Sequence, residues 1–95
     1  MLKNTCLLYN NVNEVYQKLI LFCSDNRFKV KESGENFYFI RAKKSSFFFW
    51  RTQRLELEIL AVDKEQVQVK AMLTRNGKRQ PALENECIMA IEKFL

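Results

Sequence analysis

Glu56 and Glu58 are the only closely spaced carboxylates that share an alternating segment, "RLELEIL" at residues 54–60. Two apart on a strand, they stand side by side on one face, a placement from which an acid–base pair can be built. Such a pair works only when its surroundings split the two pKa values, and an open face with no implied pocket does not do so. Histidine is absent altogether, which removes the commonest general base, the commonest metal ligand and every triad that needs an imidazole. The three cysteines, Cys6, Cys23 and Cys87, are odd in number and far apart, with no C-x-x-C spacing. That argues against a disulfide framework and a structural zinc site, and Cys23 and Cys87 fall on apolar helical stripes that suit buried free thiols. The segment "RNGKRQ" (75–80) has no second glycine and no Gly-Lys-[Ser/Thr], so it matches a phosphate-binding loop poorly and reads as a solvated loop. Neither catalysis nor a metal nor a cofactor is expected. What remains is binding chemistry.

The strongest binding signal is "KKSSFFFWRTQR" (43–54), where Phe47, Phe48, Phe49 and Trp50 lie between Lys43 and Lys44 on one side and Arg51 and Arg54 on the other. From Arg41 to Leu55 the five charged residues are all basic. Four rings in a row do not all point one way in an extended chain, so two are expected at the core edge and two partly exposed. One reading is a basic-aromatic tip that touches an anionic partner such as a phosphate backbone or lipid headgroups. The other is an apolar segment protected by charged gatekeepers. A second basic cluster, Arg75, Lys78 and Arg79, lies at the mouth of the last helix, where free N–H groups attract anions.

These residues must be positioned by elements that the apolar periods delimit. Residues 2–9 form a first strand. Asn11 is an N-cap with Glu14 three places on, and Val12, Val15, Tyr16, Leu19, Phe22 and Cys23 recur at helical spacing to about Asn26. The period then becomes two. Phe28 and Val30 alternate with Arg27, Lys29 and Lys31, "GEN" (34–36) turns the chain, and "FYFIRAK" (37–43) returns. Leu55, Leu57, Ile59 and Ala61 alternate with Glu56 and Glu58; after a turn at 63–65, Val67, Val69, Ala71 and Leu73 share one face. Pro81 suits the first turn of a closing helix whose stripe is Leu83, Cys87, Ile88, Ile91, Phe94 and Leu95.

The order is β-α-β-β-β-β-α, an α+β two-layer sandwich with a four- or five-stranded antiparallel sheet covered on one face by two helices. With Tyr38, Ile40 and Ala42 toward the helices, Phe37, Phe39 and Arg41 face out. They share the open face with Lys29, Lys31, Glu56, Glu58, Gln66, Gln68 and Lys70. Cations with two phenylalanines on an open sheet suit nucleic acid, where bases stack on rings and phosphates meet Lys or Arg. Glu56 and Glu58 on the same face oppose it.

The segments "FYFIRAKKSSFFFWRTQRLELEIL", "VQVKAMLTRNGKRQ" and "ALENECIMAIEKFL" resemble a group of small bacterial domains of unknown function. The positions that carry the likeness are Ile40, Ala42, Lys43, Ser46, Trp50, Leu57, Ile59, Gly77, Lys78 and Asn85. The element order is also similar to one repeat of the TATA-binding-protein-like fold. These resemblances imply a fold and leave function open, since such folds carry nucleic-acid, lipid and purely structural roles.

A chain of 95 residues is expected to be one domain, 1–95, and its 47% hydrophobic content is that of a folded chain. Its net charge of +5 and pI near 9.3 favour anionic partners. The longest apolar run, Leu19–Cys23, is far short of the roughly 20 residues that span a membrane, and no signal-peptide segment is seen, so a cytoplasmic location is expected. The expected role is non-catalytic: an interaction domain that meets a protein partner, or a second copy, through the open sheet face or the aromatic tip. In a homodimer the basic tip would meet Glu56 and Glu58. The alternative is a nucleic-acid-binding domain that uses Lys29, Lys31, Arg41, Lys43, Lys44, Arg51 and Arg54.

Overall fold

The switches between helical and two-residue periodicity divide the chain where the elements divide it. A computed structural model describes residues 2–34, 39–44 and 52–94. In chain order these hold β1 (Thr5–Leu8), α1 (Val12–Asp25), β2 (Lys29–Gly34), β3 (Phe39–Lys44), β4 (Gln53–Ala61), β5 (Val67–Arg75), β6 (Lys78–Arg79) and α2 (Pro81–Phe94).

α1 starts where the capping signal lies: the Glu14 N–H donates to the Asn11 side-chain oxygen at 2.9 Å. Its buried residues, Val15, Tyr16, Leu19, Phe22 and Cys23, form one stripe at helical spacing. The helix ends without glycine. Arg27, expected to open the next strand, instead takes a left-handed φ of 65°. The Phe28 N–H reaches the Cys23 carbonyl at 2.8 Å and the Arg27 N–H the Ser24 carbonyl at 3.1 Å, which satisfies two carbonyls the helix leaves open. Phe28 is thereby turned into the core.

The antiparallel sheet runs β1-β5-β4-β3-β2, with β6 pairing β5 on the edge that β1 also uses. It has six strands, one more than the upper expectation, because Asn76 and Gly77 do not end the sheet. Their φ values of 59° and 77° close a two-residue hairpin of the type whose twist matches its strands, and Lys78 and Arg79 pair back onto β5. One face is dry. Ile40, Leu57 and Ala71 lie in one cross-strand row and Ala42, Leu55 and Leu73 in the next, all buried. α1 packs over β2 and β4, and α2 over β5 and β1, so both helices cover that face. Ala61, expected with the inward set, lies exposed at the end of β4. Phe94 is 40% exposed, yet its ring meets the Phe22 ring edge-on at 5.6 Å. The chain before β1 is pinned to α2 by the Lys3 N–H on the Asn85 side-chain oxygen (3.1 Å) and by Lys3 Nζ–Glu92 (2.8 Å).

Candidate functional site: the open face of the sheet

Pairing register decides what the uncovered face presents. Lys29 lies opposite Lys43, Lys43 opposite Arg54, Arg54 opposite Thr74 and Thr74 opposite Arg79. Four of these five neighbouring positions are cationic, in one line across β2, β3, β4, β5 and β6. Strands stand about 4.8 Å apart, so the line is roughly 19 Å long. Like charges directly opposite each other destabilise a sheet, so the row exists at a cost to the fold. Among the described residues no carboxylate pairs with Lys29, Lys43 or Arg54.

The carboxylates lie in other rows. Glu56 stands between Arg41 and Met72, and the Arg41 Nε is 3.6 Å from its Oε1. Glu58 stands one row further on, between Phe39 and Lys70. Both therefore have a cation as cross-strand neighbour, and neither interrupts the basic line. The two glutamates thus lie beside the line and not in it.

Two hollows flank the line and share Lys43, Arg54 and Thr74. The larger, of about 560 Å³, adds Lys31, Arg41, Glu56, Met72 and Arg79 to its walls. The smaller, of about 390 Å³, adds Thr52, Asn76 and Gly77. Cations, hydroxyls and an amide thus converge there, with the Glu56 carboxylate and Met72 in the wall of the larger hollow. A bulge in β2 between Val30 and Glu32 carries Lys31 into the larger hollow.

Arg79 is held from behind by a residue that sequence reasoning missed. β5 has a free edge between β1 and β6: the Ala71 N–H goes to the Asn4 carbonyl (2.8 Å), and the Leu73 carbonyl accepts the Gln80 N–H (2.9 Å). The Leu73 N–H between them would be orphaned. It donates instead to Glu84 Oε2 at 2.9 Å, while Arg79 grips the same carboxylate through Nε (3.1 Å) and Nη2 (2.8 Å). Burial pushes the Glu84 carboxyl up, but the Arg79 and Leu73 hydrogen bonds and the charges of Arg79 and Lys70 outweigh it and hold it below its ordinary value. The available signal was spacing: Glu84, Ile88 and Ile91 share the buried stripe of α2. Arg79, expected in a solvated loop, is thus a paired β6 residue.

The remaining expected residues divide by position. Phe39 is half-buried, with the Arg41 guanidinium over its ring at 5.1 Å, so that ring face is already occupied. Lys44 falls on the helix side, its Nζ 5.3 Å from the centre of the Phe28 ring, and leaves the open face. Phe37, Phe47, Phe48, Phe49, Trp50 and Arg51 lie outside the described residues. Cys6 and Cys23 are buried and Cys87 half-buried, all as free thiols. Burial pushes Cys6 and Cys23 up to about 11 and Cys87 to about 12.

Among the described residues no group of His, Cys, Asp or Glu is placed to hold a metal ion, and no helix is long and apolar enough to cross a membrane. Comparison with known proteins finds no family model that matches the chain and no curated protein that matches it.

Proposed function

We propose that this protein is a non-catalytic interaction domain whose open sheet face receives an acidic macromolecular partner. The observation that carries the reading is the row Lys29–Lys43–Arg54, three directly opposed cations with no carboxylate partner among the described residues. A fold tolerates such repulsion where a ligand relieves it, and residues kept for stability alone would be neutral or alternate in sign. The non-catalytic part is supported by thiols that burial keeps protonated and by Glu56 and Glu84, each in an ion pair. Free thiols also suit a reducing, cytoplasmic setting, which belongs to the same reading. A second copy of the chain is a poor occupant, since the carboxylates of this face each sit beside a cation of their own.

The test is retention on heparin, a sulfated polyanion. Lys43→Glu with Arg54→Glu reverses two charges in the row. Lys18→Glu with Lys93→Glu reverses two on the helices and leaves the same net charge. The row variant is expected to elute at clearly lower salt than the helix variant, because a local track and not overall charge does the binding. Equal elution of the two would remove the open face as the site.

A further inference from the structure

Resting on that reading, we infer that the acidic partner is a nucleic acid, held by its phosphodiester backbone along the row Lys29–Lys43–Arg54–Thr74–Arg79 and read without base stacking. Several features separate this from an acidic protein surface. Strand pairing sets the cations along one line, Lys29, Lys43 and Arg54 on successive strands and Arg79 beyond Thr74, so they meet a partner whose charges also follow a line. Neutral donors are interleaved with them. Thr52, Thr74 and Asn76 line the smaller hollow with Lys43 and Arg54, the mixture of basic, hydroxyl and amide groups that binds phosphate and sugar oxygens.

A protein partner of ordinary affinity needs apolar or aromatic anchors at the centre of its contact. Here the exposed large apolar side chains Leu7, Leu60 and Val62 lie toward the opposite end of the sheet, away from the cations, and beside the cations stands the half-buried Met72. Base stacking is disfavoured on the described surface because Arg41 already covers the Phe39 ring. Arg79 is presented rigidly, since both its bonds to Glu84 fix the guanidinium at the end of the line. Glu84 is therefore a positioning residue for the track and touches no ligand itself.

The measurement is fluorescence anisotropy of a labelled 20-base-pair duplex titrated with the protein across a salt series, with a scrambled duplex, the single strand and poly-glutamate as further probes. The three row cations with no carboxylate partner among the described residues imply a slope of log Kobs against log salt of about −3 for duplex. Lys43→Ala and Arg54→Ala should each make it shallower by about one, while the scrambled sequence binds equally and the single strand no more tightly. Absence of duplex binding at low salt, an unchanged slope in both variants, or marked preference for single strands would overturn the inference. Retention on heparin and binding of poly-glutamate through the same row, without duplex binding, would leave the open-face reading intact and reassign the partner to an acidic protein. Loss of all polyanion binding would remove both.

Discussion

At the scale of single residues, Glu84 decides more than its one charge suggests. It fills the gap in the β5 edge between β1 and β6, and it fixes Arg79. Glu84→Ala leaves the buried Leu73 N–H without an acceptor, which should cost about 1–3 kcal/mol in chemical denaturation. Glu84→Gln keeps an acceptor there and should cost less. The carboxyl is held below its ordinary value of 4.5, so its contribution to stability is complete above that value and drains away as pH falls through the depressed folded value. The wild type should therefore lose more stability on acidification than Glu84→Gln does. Parallel acid profiles for the two proteins would show that Glu84 is not charged in the fold. The sequence reading missed this residue: its spacing with Ile88 and Ile91 was a signal, but the Leu73 N–H that calls for a buried acceptor lies across the β5–β6 hairpin.

At the scale of elements, the β5–β6 hairpin links the fold to the site. Gly77 has a φ of +77° and open space where a Cβ would stand. Gly77→Ala thus meets no neighbour and suffers only the left-handed backbone, a cost of roughly 1–2 kcal/mol. The expected outcome is a lowered denaturation midpoint together with faster amide exchange at Arg75 and Lys78, which pair across the turn. Because β6 carries Arg79, anion binding should weaken as well. Unchanged protection at those amides would mean that the hairpin does not depend on the glycine. At the other end of the sheet, β2 is an edge strand, and Lys29, Lys31 and its bulge discourage pairing with another chain. The face and not the edge is left for recognition.

At the scale of the whole molecule, one dry face and one charged face follow from the two-residue period. Leu57 is fully buried between Ile40 and Ala71, and Leu57→Ala should cost about 2–5 kcal/mol. Leu60 is 61% exposed on the open face, so Leu60→Ala should change stability by no more than about 0.5 kcal/mol. Similar losses from both, measured by denaturation, would show that the faces are wrongly assigned.

The contrast between those two leucines marks what the chain alone determined. Periods of 3.6 and two are local properties, so α1 with its Asn11 cap, the inward set Leu55, Leu57, Ile59, Val67, Val69, Ala71 and Leu73, and the α+β class were legible from residue order. The outward face was legible too, as a set of residues without an arrangement. Which of them stand opposite one another is a matter of register between strands distant in sequence, and register comes from turns and packing that no single segment contains. Tertiary structure therefore decided that Lys29, Lys43 and Arg54 align, that Glu56 is tied to Arg41, and that Lys44 turns to Phe28 on the other side. It also decided the sixth strand and the Glu84–Arg79 pair, because a buried edge must satisfy its N–H groups with whatever the folded chain brings there.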